Sequence, residues 1–153
     1  MWAASLRRCD VPEEPSARSA RSPVTRRAKS EPVRILTVDD YTPFLNAARR
    51  VIAATSGFES AGEFTSAEQA LTTIDAAEPQ LALIDVHMPH INGMELARLI
   101  KKAHPALLVV LISTQDPDQL PAAVRECGAS AIMRKQDLNP TFLRELWQSL
   151  KSS

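Results

Sequence analysis

The sequence lacks most of the features that assign a chain to a compartment or to a broad class of partner. Its formal net charge is zero, so overall charge gives no general case for binding nucleic acid or an acidic membrane. No apolar run approaches the ~20 residues that a membrane-spanning helix needs. There are only two cysteines, Cys9 and Cys127, and they lie far apart without metal-site spacing. We therefore expect a cytoplasmic protein with neither a disulfide framework nor a membrane span.

The first 31 residues differ in composition from everything that follows. Seven basic and four acidic residues stand there among several Pro, Ser and Ala, and Arg7-Arg8-Cys9-Asp10 interrupts any run that could serve as the apolar core of a signal peptide. Such a segment cannot bury enough apolar surface to order itself. We predict a disordered basic tail over residues 1–31 and a folded domain over 32–153. An alternative interpretation is a basic arm for nucleic acid or another partner.

From Val33 onward, short apolar runs alternate with segments of helical periodicity. The predicted strands are 33–38, 58–64, 81–85, 107–112 and 129–134. The predicted helices are 43–55, 67–78, 93–103, 118–127 and 140–151. Five strand–helix units with short loops predict an α/β fold in which helices cover both faces of a parallel sheet.

The polarity of the strands predicts their order in the sheet. The runs 81–85 and 107–112 are the most apolar and belong in the centre, whereas 58–64 contains glutamates and a glycine and belongs at an edge. The order 2-1-3-4-5 meets both conditions. The predicted fold is thus a doubly wound, five-stranded, flavodoxin-like (βα)5 domain.

Polar side chains stand where four of the predicted strands end. They are Asp39 and Asp40 after the first strand, Asp85 after the third, Ser113 after the fourth and Lys135 after the fifth. In the predicted order these four strands are neighbours, so the five residues would meet at the carboxyl edge of the sheet. Ligands and reactions are found at that edge in open α/β folds.

Three carboxylates at one edge need positive charge nearby. Two unit charges a few Å apart repel by about 4 kcal/mol at an effective dielectric near 20. Lys135 supplies one positive charge, and Mg²⁺, which prefers carboxylate oxygens and retains waters, supplies two. A carboxylate nucleophile with Mg²⁺, a lysine and a hydroxyl is equipped to accept a phosphoryl group. Taken singly, each residue is more often a helix cap, a turn residue, a loop hydroxyl or a solvated charge, but the meeting of all five at one edge favours a functional site.

With these markers in place, residues 33–151 resemble the receiver domain of two-component response regulators, in particular single-domain regulators of the chemotaxis type. The markers occur in the family's order: Asp39-Asp40, then Asp85 followed by Met88-Pro89 and Gly93, then Ser113, then Lys135. The resemblance implies a signalling protein that accepts a phosphoryl group on its own aspartate and is not otherwise an enzyme.

The resemblance also implies a role for each position. Asp85 would be the phosphoacceptor. Asp40 and Asp85 would bind Mg²⁺ directly together with the backbone carbonyl of His87, while Asp39 would act largely through water. Lys135 would contact a phosphoryl oxygen.

Around the phosphoryl group, the resemblance implies that Ser113 hydrogen-bonds it and that Thr114 stands beside it. Thr114 occupies a place where a smaller residue is common, and its methyl group narrows the access. Ile132 takes the place of the aromatic residue that moves in the family when the hydroxyl moves inward. Because isoleucine has no ring to rotate, the usual coupling to the output surface is in question.

The expected partners are a sensor histidine kinase or phosphotransfer protein and a downstream protein target. The target would bind the face formed by the fourth helix, fifth strand and fifth helix. Since only two residues follow Lys151, we expect a regulator without an attached effector domain, with output through protein contact. The main alternative is a binding module that keeps the receiver fold but works without phosphate. A phosphatase and a receiver that switches a basic nucleic-acid arm are further alternatives.

Overall fold

The structure is a computed structural model, and it describes residues 7–8 and 31–152. Five parallel strands form its sheet: β1 (Val33–Val38), β2 (Phe58–Phe64), β3 (Leu81–Asp85), β4 (Leu108–Ser113) and β5 (Ala131–Arg134). Their spatial order is β5-β4-β3-β1-β2, which is the predicted order 2-1-3-4-5. The predicted fold class and the edge position of β2 are confirmed.

A sixth, very short strand extends the sheet at its other edge. Arg7–Arg8 runs antiparallel to β5, with Arg7 opposite Ile132 and Arg8 opposite Ala131. This pairing falls inside the segment predicted to be a disordered tail and had not been predicted. The rest of that prediction, 1–6 and 9–30, lies outside the described residues.

In the described part of the chain, four α-helices cover the sheet: α1 (Thr42–Ala54), α2 (Ala67–Ala77), α3 (Gly93–Ala103) and α4 (Pro140–Lys151). Side-chain caps begin three of them, because Ser66, Asn92 and Asn139 each accept a hydrogen bond from a backbone N–H three residues later. None of the described helices combines the length and the apolar character needed to cross a membrane.

The core has two layers, one on each face of the sheet. Apolar side chains of α2 and α3 pack with those of residues 120–129 on one face, and those of α1 and α4 pack on the other. All five residues of β3 are buried, as expected for a central strand between two helical layers.

The predicted helix at 118–127 is wrong. Two 3-10 segments, Pro117–Gln119 and Ala122–Glu126, occupy this stretch instead. Between them Leu120 and Pro121 are extended, with ψ angles of 152°. Proline disfavours the helical conformation of the residue before it and cannot donate a backbone hydrogen bond. The apolar spacing of Leu120 and Val124 suggested an α-helix. Both side chains are indeed buried, but the backbone that carries them is not α-helical.

Candidate functional site

The parallel sheet brings the predicted site residues to one edge. Asp39 follows β1 directly, Asp85 is the last residue of β3, and Lys135 follows β5. Ser113 is the last residue of β4, and the residue before it, Ile112, lies opposite Asp85. The strand ends therefore place an acid, a hydroxyl and a lysine on neighbouring strands.

Three carboxylates cluster at this edge. Each of Asp39, Asp40 and Asp85 offers an oxygen, and these oxygens all lie within 4.8 Å of one another. Asp39 and Asp85 are buried, at 0% and 5% exposure, whereas Asp40 is exposed. Carboxylate oxygens in this number and spacing, with one ligand open to solvent, suit a hard divalent cation that keeps part of its water shell. The donor set therefore fits Mg²⁺.

Among the described residues, Lys135 provides the positive charge that contacts the two buried acids. Its Nζ lies 2.6 Å from Asp39 Oδ2 and 3.7 Å from Asp85 Oδ1. The other oxygen of Asp39 accepts a hydrogen bond from the Tyr41 backbone N–H at 2.9 Å. Asp39 is thus held by an ion pair at one oxygen and by a hydrogen bond at the other, and the contact of Lys135 with Asp85 is longer than its contact with Asp39.

Asp85 is held less firmly than Asp39. Its Oδ1 accepts a hydrogen bond from the His87 backbone N–H at 3.4 Å, near the upper limit for such a bond. Burial, and after it the neighbouring Asp39 charge, raise the pKa of Asp85 from 3.8 to about 6, although Lys135 and the His87 N–H act in the opposite direction. When ionisation of a carboxylate is costly, a cation placed beside it stabilises the ionised form.

The loop after β4 begins at the strand end next to Asp85. Ser113 is fully buried, and its Oγ accepts a hydrogen bond from the Gln115 backbone N–H at 3.0 Å. Thr114 is exposed, and its backbone carbonyl accepts a hydrogen bond from Gln136 Nε2 at 3.3 Å. The exposed side chains of His87 and Gln115 meet at 3.3 Å between Nε2 and Oε1. The side chain of His87 therefore faces outward, as expected if its contribution is the backbone carbonyl.

Two aromatic residues at the site were missed by the sequence reasoning. The rings of Phe44 and Tyr41 lie with their centroids 5.2 and 6.0 Å from Lys135 Nζ. They begin α1, and the amino end of a helix that follows a parallel strand lies at that strand's carboxyl edge. The adjacency of Tyr41 and Phe44 to the Asp39-Asp40 pair was the available signal.

Gly93 fixes the loop that follows Asp85. Its N–H donates to the Val86 carbonyl at 3.1 Å, and a Cβ at this position would stand 2.1 Å from the Asp85 carbonyl oxygen. Only glycine permits so close an approach between the start of α3 and the end of β3. The Gly that accompanied Met-Pro in the sequence motif is therefore a packing requirement beside Asp85.

Ile132 is fully buried within the core layer that also contains Leu111, its neighbour on β4. The position expected to carry a mobile aromatic side chain is thus occupied by a fixed apolar one.

A groove lies beside the site, between the loop after β3 and the 3-10 segment 122–126. Its volume is about 460 Å³, and Met88, Met94, Pro121 and Val124 contribute apolar side chains to its lining. Because Pro121 and Val124 line this groove, the 3-10 backbone around them shapes the surface next to the loop that follows Asp85.

Comparison with known protein families matches residues 35–146 to the response regulator receiver domain. The chain belongs to this family. The match covers every residue of the carboxylate–lysine site and most of both core layers. The receiver domain is therefore part of two-component signal transduction, as the sequence resemblance implied.

The receiver domain has relatives among characterised proteins and solved structures. It is 31% identical over 103 residues to the response regulator GacA of Pseudomonas viridiflava, covering 67% of this chain and 48% of that protein. The DegU transcriptional regulator of Brevibacillus brevis is 27% identical over 104 residues, covering 68% and 44%. The chain thus spans about half the length of the curated relatives it matches.

A solved receiver domain shares the fold over almost its whole length. The signal receiver domain of the putative response regulator NarL from Mycobacterium tuberculosis superposes with a TM-score of 0.71 at 26% identity, covering 80% of this chain and 99% of that one.

Proposed function

We propose that this receiver domain accepts a phosphoryl group on Asp85, with Mg²⁺, from a sensor histidine kinase or a phosphotransfer protein. The observation that supports it most is the pocket of Asp39, Asp40 and Asp85 with Lys135 in contact. Of the two buried acids, Asp39 has one oxygen in a close ion pair with Lys135 and the other in a backbone hydrogen bond. Asp85 has a longer backbone hydrogen bond and a more distant lysine, which makes it the more available nucleophile.

The chemistry is an in-line displacement. An oxygen of Asp85 forms a bond to phosphorus while the bond from phosphorus to the donor's histidine nitrogen breaks, leaving an acyl phosphate on this chain. Asp39, Asp40, Asp85 and the backbone carbonyl of His87 would hold Mg²⁺, which neutralises charge on the phosphoryl oxygens. Lys135 would bind one of those oxygens and Ser113 would hydrogen-bond another. The reaction is with the chain's own carboxylate, so the proposal includes no separate substrate.

A small-molecule donor tests this directly. Intact-mass measurement after incubation with acetyl phosphate and Mg²⁺ should show one added phosphoryl group on the wild type and none with EDTA. Asp85→Asn should take up none, whereas the exposed surface variant Asp75→Asn should match the wild type. A folded wild-type protein that takes up none, or an Asp85→Asn variant that does, would contradict the proposal.

We propose that the output is a contact with another protein through the surface formed by residues 117–126, β5 and α4. Part of that surface is the 3-10 backbone around Pro121 and not the predicted helix. Ser113 is the last residue of β4, and Lys135 directly follows β5. A change in the contacts of either side chain would therefore alter the strand ends next to this surface. Cytoplasmic location follows from the proposed kinase donor.

One observation favours a second candidate, a receiver-fold module that binds its partner without phosphate. Ile132 is fully buried and has no ring to exchange between inward and outward positions. In that case Asp85→Asn would leave partner binding unchanged. Under the first proposal, the same variant removes the difference in partner binding between the acetyl phosphate-treated and untreated protein.

A further inference from the structure

Residues from the far amino end of the chain occupy the outer side of β5. Arg7 lies opposite Ile132 and Arg8 opposite Ala131, in antiparallel pairing. On its inner side β5 pairs with β4 along all four of its residues. The first two residues of β5 therefore have backbone neighbours on both sides, whereas for its last two the described pairing is with β4 alone.

The sequence of β5 makes this edge a good acceptor of another strand. Its first three residues, Ala131, Ile132 and Met133, are apolar and fully buried, and neither proline nor charge interrupts them. An edge of this kind presents a row of N–H and C=O groups to any extended chain nearby, and proteins usually protect such edges.

The opposite edge of the sheet is protected in another way. β2 carries the charged residues Glu59 and Glu63, and its pairing with β1 shifts register between Ile35 and Leu36. Charges and register shifts both discourage further strands from adding to an edge. The first three residues of β5 have neither charges nor a register shift. Pairing with another strand would protect this edge.

We propose that the outer edge of β5 is a docking site for an extended peptide strand, and that its occupant is the amino-terminal segment of this same chain. Recognition of this kind uses backbone hydrogen bonds and places little demand on side chains.

The length of the chain allows the segment to reach this edge. The docked strand lies four strand positions from β1 in the sheet, which is about 19 Å at ~4.8 Å per strand. Residues 9–32 connect the two, and 24 residues can extend to roughly 80 Å.

The docked segment withholds the edge from any competitor. β5 leads directly into Lys135, so the segment lies along the strand that carries the phosphoryl-site lysine to the proposed output surface. A strand offered by a partner or by a second copy of this chain can pair there only after the segment leaves. This arrangement is an intramolecular cap, and it stands whether or not Asp85 accepts a phosphoryl group.

Backbone pairing has a signature that proline substitutions reveal. Adjacent residues of a strand direct their N–H groups to opposite sides, so only one of Arg7 and Arg8 donates to β5. Proline removes that donor but is tolerated where the N–H faces away from the sheet. Arg7→Pro and Arg8→Pro should therefore differ, while Arg7→Ala and Arg8→Ala, which keep the N–H, should both retain the pairing.

The experiment is amide hydrogen exchange of the full chain, resolved by NMR, with the four variants in parallel. One proline variant should speed exchange of the outward-facing β5 amides several-fold. The other proline variant and both alanine variants should leave them unchanged. The β5 amides that face β4 serve as an internal reference and should be the same in all five proteins.

Three results would overturn the proposal. Identical exchange in all five proteins would show that the edge is unoccupied. Equal losses in the alanine and proline variants would assign the contact to side-chain charge. Protection that falls on dilution, together with a dimer in sedimentation, would assign the occupant to a second copy of the chain.

Discussion

Lys135 lies within reach of both buried carboxylates of the site, at 2.6 Å from Asp39 and 3.7 Å from Asp85. Removing one partner of a buried ion pair costs about 3–5 kcal/mol, because the remaining charge stays buried without compensation. Lys135→Met should therefore lower the free energy of unfolding by about 3 kcal/mol in EDTA. Denaturant titration measures it, and the exposed variant Lys102→Met is the control.

Added Mg²⁺ extends this test. A divalent cation among the carboxylates replaces part of the lost positive charge, so Mg²⁺ should restore part of the stability of Lys135→Met. An equal cost for Lys135→Met and Lys102→Met would show that Lys135 does not compensate the buried acids.

Asp85 should make the stability of the metal-free protein depend on pH. Burial raises the pKa of Asp85 from 3.8 to about 6, so between these values the folded chain holds a proton that the unfolded chain has released. The contribution of Asp85 to stability is therefore fully present below about pH 4 and is lost as pH rises through about 6, a change of up to about 3 kcal/mol. The side chain introduced by Asp85→Asn cannot ionise, so the free energy of unfolding of this variant at pH 7 should exceed that of the wild type by up to about 3 kcal/mol.

The comparison requires unfolding measurements of both proteins at several pH values in EDTA. Near pH 4 the difference between wild type and Asp85→Asn should largely vanish, and Mg²⁺ should narrow it at pH 7. The exposed variant Glu126→Gln should show no such pattern. A gain for Asp85→Asn that is equally large near pH 4 would contradict the assigned pKa.

Among the elements, the junction between β3 and α3 depends on Gly93. A Cβ there would meet the Asp85 carbonyl oxygen at 2.1 Å, and because both sides of the contact are backbone, neither moves easily. Gly93→Ala should cost about 2–4 kcal/mol of folding stability and slow phosphoryl acceptance.

Gly57→Ala is the matched control for this junction. Gly57 has φ +90° and open space around it, so its substitution should cost only about 1 kcal/mol of backbone strain and leave phosphoryl acceptance intact. Thermal unfolding and acetyl phosphate labelling of both variants give the comparison. Equal effects on labelling would show that the contact with Asp85 is not needed.

The segment 117–126 forms two 3-10 segments and not one α-helix, and Pro121 lies between them. Leu120 and Pro121 are extended where a helix would need both to be helical. Proline in a helix interior costs about 3 kcal/mol, so Pro121→Ala should increase the helical content of this segment. Cα chemical shifts of residues 118–126 measure it, and Pro105→Ala, in an exposed turn, should leave them unchanged. No helical shift in Pro121→Ala would mean that packing of Leu120 and Val124 sets the backbone.

For the strands and helices, local sequence patterns were sufficient to predict most of the elements and their order. Strand ends, helix periods and the polar character of β2 are local patterns, and they correctly predicted the sheet order. Apolar spacing at Leu120 and Val124 was misleading, since buried residues at that interval also arise in 3-10 backbone and the proline between them carried the decisive information. The pairing of Arg7–Arg8 with β5 depends on backbone groups far apart in the chain, for which side-chain patterns give no signal.

For the whole molecule, the sheet order converts five separate residues into one site. The sequence predicted that Asp39, Asp40, Asp85 and Lys135 would meet, because parallel strands that are neighbours end at the same edge. It did not predict that Lys135 would contact Asp39 more closely than Asp85, or that Phe44 and Tyr41 would lie beside it. Those distances depend on packing between α1 and the strand ends, which local patterns do not specify.

The central claim is that Asp85, among three clustered carboxylates, forms the acyl phosphate. Borohydride reduces an aspartyl phosphate to homoserine, which marks the modified residue permanently. The full chain, treated with acetyl phosphate and Mg²⁺, reduced and digested, should yield homoserine at position 85 by peptide mass spectrometry and Asp unchanged at 39 and 40. Homoserine at 39 or 40, or its absence at 85 in a protein that has gained a phosphoryl group, would contradict the account.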